Sequence, residues 1–434
     1  MKLNKQAVAK EHTHEGAVAA IVSPEKQLRR SVMACLLWED SFYESGEDVG
    51  KRITALVPKV GFDKTAAIAV EARDKMKLRH VPLLLAAACA PMKAGKKMGD
   101  LLERIIQRPD ELTEFLAIYW KDGKRPLGAQ VKQGLARAFR KFNEYSLAKY
   151  NRQDAIKLRD VLFLCHAKPK DEEQGKLWKR LIDGQLVTPD TWEVALSGGA
   201  DKKEAFGRLM AEKKLGALAF IRNLRNMAEA KVPKQSVAAY AAELSVERVL
   251  PFRFITAARM VPQWEDVVEP LMMKALAVQD KLPGRTVLLV DVSGSMDYRL
   301  SAKSEATRMD AAFGLGVLLR EICEGVEILT FSQALAHVAP RRGFALRDAM
   351  KNSQPHSSTY LAAALNTLNA KFDYDRIIVI TDEQAADGIA SPKGKGYVVN
   401  VATNKNGVGY GKWNHIDGWS EAVIDYIRAY ETQD

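Results

Sequence analysis

Several features that would assign the chain to a specialised class are missing from its 434 residues. The longest apolar run, residues 81–91, is far shorter than the roughly 20 residues that cross a bilayer, so we expect no membrane span. Residues 1–16 lack the apolar core of a secretion signal, which favours the cytoplasm. No C-x-x-C pair occurs, which argues against a zinc cluster, a redox motif or a disulfide framework; the four cysteines are Cys35, Cys89, Cys165 and Cys323.

Positive charge is unevenly distributed along the chain. The net charge is +11, yet residues 285–434 hold 16 Lys and Arg against 18 Asp and Glu, a net charge of −2. Residues 1–284 therefore carry +13. A segment of this kind attracts a polyanion such as RNA, because its cations displace the counterions condensed on phosphates. A well-solvated helical surface explains the same charge equally well.

The chain is long enough for two domains, and its first part has a helical pattern. Val131, Leu135, Ala138 and Phe142 follow the spacing i, i+4, i+7, i+11 of one buried helix face. Many helices with short Pro- or Gly-bearing connectors predict antiparallel pairs stacked as an α-solenoid, although no strict sequence period is present. Further amphipathic runs occupy residues 28–38, 66–74, 98–106, 112–120, 215–228 and 236–244.

The pattern changes at residues 281–284, which we interpret as the boundary between domains 1–284 and 285–434. Downstream, apolar strand-like runs alternate with helical stretches, which predicts a Rossmann-like, mainly parallel sheet covered by helices on both faces. The predicted strands are residues 287–292, 326–331, 376–381 and 397–401, and the predicted helices are residues 304–324, 345–352, 361–370 and 420–430. Ligands of such sheets gather beyond the carboxyl ends of the strands.

Hard oxygen donors stand at those positions. Asp291, Ser293 and Ser295 end the first predicted strand, where Gly294 permits a tight bend, and Asp382 ends the third. A further hydroxyl, from Thr359, precedes the helix at 361–370. Two carboxylates, two serines and a threonine predict a shallow oxygen cage for Mg²⁺ or another divalent cation, completed by waters and a partner's carboxylate.

These residues also have other interpretations. The serines could cap the following helix, since Ser and Asp are favoured there. A nucleophilic serine lacks a G-x-S-x-G elbow, and His356, the candidate base, has no evident orienting carboxylate. The P-loop that accompanies a metal chelatase is also absent from the sequence. We therefore expect a binding protein and not an enzyme.

Two family resemblances rest on these motifs and on longer stretches. Asp291-Val-Ser293-Gly-Ser295, then Thr359, then Asp382 resembles the metal-ion-dependent adhesion site of von Willebrand factor A domains. Upstream stretches resemble, in the same order, the TROVE domain of the Ro autoantigen family: HTHEGAVAAIVSPEKQLRRSV, LLWEDSFYESG, LARAFRKFNEYSLAKY, RDVLFLCHAKPK, LGALAFIRNLRNMAEAKV and PFRFITAARMV, followed by NHIDGWSEAVIDYI near the end. Together they cover almost the whole chain.

The TROVE resemblance implies a monomeric ring of HEAT-like helical pairs closed by the A domain. It implies that Y RNAs, which are small structured noncoding RNAs, bind the basic outer surface, and that single-stranded 3′ ends of misfolded RNAs enter the central hole. Bacterial relatives use the Y RNA to tether a 3′ exoribonuclease. The alternative function is a protein-interaction scaffold, in which the solenoid binds an acidic protein and the Mg-dependent adhesion domain binds another protein.

Seven residues are predicted to contact RNA. Arg137, Arg140 and Lys141 share one helix face, and Lys132 adds charge on its flank. A solvated helix face is the ordinary explanation of such a run, and the family resemblance favours RNA. The remaining three rest on the match to the family's RNA-contacting helix and His-x-Lys-Pro turn: Lys149, His166 and, beside a family basic position occupied here by Gln153, Arg152.

Aromatic residues of the same region could stack on unpaired bases. They are Tyr119, Trp120, Tyr145 and Tyr150. Core packing explains them as well, so none is singled out.

Overall fold

The fold is given by a computed structural model that describes residues 23–33, 46–74, 78–151, 154–247, 249, 252–300, 306–402, 407–408, 411–417 and 422–431. Arg152, Gln153, Cys35 and parts of the TROVE-like stretches lie outside the described residues. The chain divides into two compact units. Among the described residues, 24–32 and 47–215 form the first, here called the helical unit. The second, here called the α/β unit, consists of Ser23, Met33, Gly46 and the residues from 216 onward.

The helical unit is built from consecutive helices. Contacts join next-but-one neighbours: α3 with α5, α5 with α7, α7 with α9, and α4 with α6. This repeated contact of next-but-one helices is the packing of an α-solenoid, as predicted, whereas closure into a ring stays a prediction. The helices are α1 (Pro24–Met33), α2 (Gly46–Val60), α3 (Phe62–Asp74), α4 (His80–Cys89), α5 (Lys96–Ile105), α6 (Asp110–Tyr119), α7 (Ala129–Phe139), α8 (Glu144–Tyr150), α9 (Leu158–Cys165), α10 (Glu172–Ile182), α11 (Trp192–Ser197) and α12 (Lys202–Ala211).

Helix α7 buries the face that its sequence pattern predicts. Val131, Leu135 and Ala138 are buried, and so is Phe142, which follows the end of the helix. The neighbouring helix α5 approaches α7 at a pair of glycines. A Cβ atom at Gly134 would lie 2.8 Å from the backbone oxygen of Gly99, so glycine allows this close packing.

The α/β unit contains a six-stranded sheet in the order β3-β2-β1-β4-β5-β6. All its neighbours are parallel except β3, which is antiparallel to β2. The fold is therefore mainly α with a Rossmann-like α/β part, as predicted. The elements are α13 (Ala217–Glu229), α14 (Lys234–Glu243), α15 (Phe252–Met260), α16 (Glu265–Ala277), β1 (Leu282–Asp291), α17 (Arg308–Ile322), β2 (Cys323–Phe331), β3 (Leu335–His337), α18 (Gly343–Lys351), α19 (Leu361–Lys371), β4 (Arg376–Thr381), β5 (Lys395–Asn400), β6 (Trp413–Asp417) and α20 (Ala422–Glu431).

The change from helices to sheet and the division into compact units fall at different places. β1 begins at Leu282, next to the predicted boundary at 284, but the α/β unit begins at Gly216. Helices α15 and α16 pack on α17 and α18. Glu269 accepts a hydrogen bond from the backbone N–H of Phe344 at 2.7 Å, and Glu265 pairs with Arg347 at 2.6 Å. These contacts place α13–α16 with the sheet.

The core of the α/β unit lies on both faces of β1 and β4. Every residue from Val287 to Asp291 is buried, as is every residue of β4, which explains their uninterrupted apolar sequence. Helix α17 is buried on nearly all sides because it packs between the sheet and α18: a Cβ at Gly316 would meet Met350 Sδ at 3.0 Å and Leu288 Cδ2 at 3.8 Å. None of the helices in the described ranges combines the length and apolarity needed to cross a bilayer.

We predict that Gly134→Ala destabilises the protein by about 1–3 kcal/mol, because its methyl group would overpack the contact between α5 and α7. Gly207→Ala is the matched control, since a Cβ at this helical position meets nothing within 4 Å. It should stabilise the protein by about 0.4–1 kcal/mol. Denaturant unfolding of both variants checks this, and a Gly134→Ala protein as stable as the wild type would contradict the packing described.

Candidate functional sites

The two predicted metal-binding carboxylates follow neighbouring strands. β1 pairs with β2 on one side and with β4 on the other, so the direction of the strand order reverses between β1 and β4. Crevices for ligands open at such a switch point, beyond the carboxyl ends of the strands. Asp291 is the last residue of β1 and Asp382 directly follows β4, so the fold brings both to this crevice.

Backbone hydrogen bonds join the three loops that carry the remaining donors. Gly294 N–H donates to the carbonyl of Ser357 at 2.9 Å, and Ala386 N–H donates to the carbonyl of Thr359 at 3.0 Å. Asp387 accepts hydrogen bonds from the first turn of α19, from Ala362 N–H at 2.9 Å and Ala363 N–H at 3.0 Å. The loops after β1, before α19 and after β4 therefore form one connected structure around the crevice.

Asp291 is fully buried and firmly oriented. Its Oδ1 accepts from Ser293 N–H at 2.8 Å, and its Oδ2 accepts from the Thr381 hydroxyl at 2.6 Å. Burial, together with the charge of Asp382, raises the pKa of Asp291 to about 7, and the hydrogen bonds from Ser293 and Thr381 act in the opposite direction. A buried carboxylate whose charge is opposed in this way is stabilised by a cation.

The two serines provide oxygens at a spacing that suits Mg²⁺. Ser293 Oγ and Ser295 Oγ lie 3.3 Å apart. Octahedral Mg²⁺ holds oxygens at about 2.0–2.1 Å, which places adjacent ligands about 3 Å from each other. Thr359 is also buried, and its carbonyl accepts from Ala386 N–H in the loop after β4. Within the described residues there is no cluster of three or more His, Cys, Asp or Glu that could hold a metal. The predicted donor set differs from such a cluster in that it consists of three hydroxyls and two carboxylates.

The alternative roles of these residues find little support. Ser293 precedes a short 3-10 turn at Gly294–Asp297 without capping it through its side chain. His356 does have a carboxylate neighbour, contrary to the sequence-based expectation: its Nδ1 lies 3.4 Å from Asp297 Oδ2, and its Nε2 lies 3.0 Å from the carbonyl of Lys351. Both ring nitrogens thus face groups other than the serines. The bend after β1 is a 3-10 turn that begins at Gly294, and a Cβ there would make an ordinary 3.7 Å contact with Ser357 O.

One residue of this site was missed by sequence reasoning. Arg308, in the first turn of α17, donates from Nη1 to Asp382 Oδ2 at 2.9 Å and to the carbonyl of Ser295 at 3.3 Å. The side chains of Arg308 and Asp382 are 2% and 0% exposed. Nothing in the sequence around residue 308 distinguishes this arginine from an exposed one.

The structure separates the predicted RNA-contacting cations into two groups. Arg137 pairs with Asp100 Oδ1 at 2.7 Å and Glu103 Oε2 at 3.0 Å, both on α5. The ammonium of Lys141 contacts the backbone carbonyls of Glu103 and Ile106 at the carboxyl end of α5, and burial lowers its pKa. These two side chains therefore join α7 to α5, and a role for them in RNA contact stays a prediction.

Three further predicted residues, half-buried Lys132 and exposed Arg140 and His166, form a surface together with exposed Lys168, which was not predicted. We call these four residues the basic strip. Arg140 Nε donates to the carbonyl of Lys168 at 2.8 Å, which joins the end of α7 to the turn after α9. His166 ends α9 in the left-handed conformation with φ 51° and is exposed. Burial raises the pKa of the neighbouring Cys165 to about 11, and the nearby charge of Lys132 acts in the opposite direction.

Positive charge is dense in the sequence around α7. Between residues 115 and 143 there are seven Lys and Arg and one acidic residue, Asp122, although Arg137 is paired with α5 and the acids Asp171, Glu172 and Glu173 follow Lys168. Lys149, predicted from the family resemblance, lies apart on α8, where its Nζ is 3.7 Å from Glu193 Oε1. The strip is thus a concentrated positive surface of the kind that attracts phosphates.

Two of the predicted aromatic candidates are engaged by arginines. The guanidinium of Arg125 lies 4.0 Å from the ring centre of Tyr119, and that of Arg108 lies 4.4 Å from the ring centre of Tyr150. Tyr145 is 55% exposed. Phe163, on α9, is 60% exposed and was missed. The sequence held a signal for it, because the buried residues of α9 are Leu158, Val161, Leu162 and Cys165, a stripe that excludes position 163.

Comparisons with known proteins agree with this architecture. The TROVE domain family model matches residues 183–354, a segment that continues across the predicted boundary at 284 into the sheet. The crystal structure of the Ro (RSR) protein of Deinococcus radiodurans is similar, with a TM-score of 0.62 and 20% identity over 94% of this chain and 99% of that chain. At this identity the likeness establishes the fold. No curated protein matches the sequence.

Proposed function

We propose that this chain is an RNA-binding protein of the TROVE-domain family, whose model matches residues 183–354, and that it binds structured noncoding RNA through the basic strip of its helical unit. The observation that carries the proposal is the location of the charge. Residues 24–32 and 47–215 hold 37 Lys and Arg against 24 Asp and Glu, so the helical unit has a net charge of +13 and the rest of the chain −2.

The composition of the basic strip suits a phosphate backbone. Arg140 presents a forked guanidinium, Lys132 and Lys168 act as point charges, and His166 adds an exposed ring that can form hydrogen bonds. Contacts of this kind depend on the position of phosphates and on the shape of the RNA and not on its base sequence. A small folded RNA such as a Y RNA is the ligand class that we propose.

Unpaired 3′ ends of misfolded RNA are the second proposed ligand class. Exposed Phe163 lies one helical turn before His166 on α9, beside the strip. Aromatic faces bind unpaired bases by stacking, at about 1–3 kcal/mol per base. A ring next to several cations can therefore hold a base while the cations hold the flanking phosphates. A cytoplasmic role in RNA quality control, with a 3′ exoribonuclease tethered through the RNA, follows from the family resemblance.

For the α/β unit we propose a von Willebrand A-like site for Mg²⁺ or another divalent cation. Ser293, Ser295 and Thr359 would provide hydroxyl oxygens, and Asp291 and Asp382 would provide the negative charge. A bound cation would supply an open coordination position for a carboxylate of an acidic protein partner. Because this part of the chain has no excess of positive charge, we assign RNA binding to the helical unit alone.

We predict that the double substitution Arg140→Gln, Lys168→Gln weakens binding of a structured RNA with a single-stranded 3′ tail. The slope of log K against log salt concentration should fall by about 1 for each phosphate that the variant no longer neutralises. Fluorescence anisotropy at several salt concentrations measures both quantities.

The matched control removes two exposed cations elsewhere on the same unit, through Lys51→Gln with Lys179→Gln. Each of these lysines pairs with an acid one helical turn away. If the two double variants show the same reduction in affinity and salt dependence, binding follows total charge, and the assignment to the strip is wrong.

We predict that Asp291→Asn removes Mg²⁺ binding, because it deletes one of two buried charges, and leaves RNA affinity within about twofold of the wild type. Titration calorimetry with MgCl₂ and anisotropy with RNA test the two parts. Asp297→Asn is the control, since it makes the same change six residues later on a side chain that is 60% exposed. Equal Mg²⁺ affinity of the Asp291→Asn variant and the wild type would overturn the metal site.

A further inference from the structure

We infer that Arg308 sets the affinity of the proposed metal site, by competing with the divalent cation for Asp382. The inference rests on the proposed function, since it concerns the same five donors. It adds a residue outside that set, Arg308, as a determinant of the affinity for the cation. Asp382 is one of two carboxylates at the crevice, and its Oδ2 is already paired with a guanidinium at 2.9 Å.

The position of Arg308 is fixed by its own backbone. Its N–H donates to the carbonyl of Tyr298 at 3.0 Å, and Thr307 and Asp310 on either side form a capping box at the start of α17. The residue as a whole is 1% exposed, and it is among the largest fully buried side chains of the described residues. A rearrangement that moves the guanidinium away from Asp382 therefore has to occur inside the packed unit.

The second contact places Arg308 at the serine loop as well. Its Nη1 lies 3.3 Å from the backbone carbonyl of Ser295, whose hydroxyl is one of the proposed ligands. The guanidinium therefore connects the loop after β1 to the loop after β4, which is the connection that a bound cation would make through Ser295 and Asp382. Arginine and divalent cation are alternative positive charges for the same pair of loops.

The sign of the effect follows from charge. Asp291 and Asp382 contribute two negative charges when ionised, and Arg308 neutralises one of them without water between the groups. A divalent cation in this crevice would lie within a few ångströms of a like charge, where a low dielectric leaves repulsion largely unscreened. The wild-type site should bind Mg²⁺ weakly, and removal of the arginine charge should strengthen binding by roughly tenfold or more.

Arg308 would also change the net charge of the site when a cation is bound. With both carboxylates ionised, a divalent cation and Arg308 together leave one net positive charge, whereas the cation alone leaves none. The surplus charge favours a carboxylate from a partner as the last ligand. Arg308 thus lowers the affinity for the cation alone and raises the gain that comes from an acidic ligand.

The test is titration calorimetry of the full chain with MgCl₂, using Arg308→Met to remove the charge and Arg308→Lys to keep it. Arg308→Met should bind Mg²⁺ about tenfold or more tightly than the wild type, because the like charge is gone. Arg308→Lys should stay close to the wild type. Arg320→Met, at the other end of α17, is the control for removal of an arginine and should leave Mg²⁺ affinity unchanged.

If Arg308 has only a structural role, the titrations give different results. If Arg308→Met binds Mg²⁺ no more tightly than the wild type, while Asp291→Asn abolishes binding, Arg308 does not compete with the cation, and the proposal of a metal site is retained. If neither the wild type nor Arg308→Met binds Mg²⁺, the proposed site fails and the inference fails with it.

A second readout covers the case in which Arg308→Met is too unstable for calorimetry. Arg308→Gln removes the charge and keeps a donor for Ser295 O, and its melting temperature is measured with and without MgCl₂. A larger Mg²⁺-dependent rise than in the wild type supports the inference, because an uncompensated Asp382 gains more from the cation. An equal or smaller rise overturns it.

Discussion

The accumulation of positive charge on one helical unit is the constraint on which the remaining assignments depend. Cations that repel one another destabilise a compact structure, and the helical unit balances some of them internally: Arg137 against two acids of α5, Lys141 against the last carbonyls of that helix. The cations of the basic strip lie where α7 meets the turn after α9, and Arg140 donates there to the carbonyl of Lys168. The packing of α7 on α5 and α9 therefore positions both sets of cations.

The α/β unit instead concentrates negative charge, at the carboxyl ends of neighbouring strands of its sheet. Parallel strands bring Asp291 and Asp382 to one switch point, and hydrogen bonds among three loops hold the hydroxyls around them. Buried carboxylates need a positive charge nearby, and Arg308 provides one from within the chain. In the proposed function, Arg308 and a divalent cation are therefore alternative positive charges for these carboxylates.

Sequence reasoning succeeded where the information is local. Strands β1, β2, β4 and β5 and the buried face of α7 follow from apolar spacing, and the positions of Asp291 and Asp382 at strand ends follow with them. The metal site itself stays a prediction. Interactions between distant segments could not be predicted from local sequence patterns. Arg308 and Asp382 are 74 residues apart. The packing of α15 and α16 on α17 and α18 places the residues from Gly216 onward in the α/β unit. The short edge strands β3 and β6 gave too little pattern to predict.

Photocrosslinking of RNA to the intact protein, with the modified residues identified by mass spectrometry, tests the division of labour most directly. The RNA should carry a folded stem and an unpaired 3′ tail. We predict that the adducts are confined to the helical unit and concentrated from Lys132 to Lys168, and that the 3′ tail crosslinks to Phe163. Adducts concentrated instead on the loops around Asp291 and Asp382, or spread evenly over both units, would contradict it.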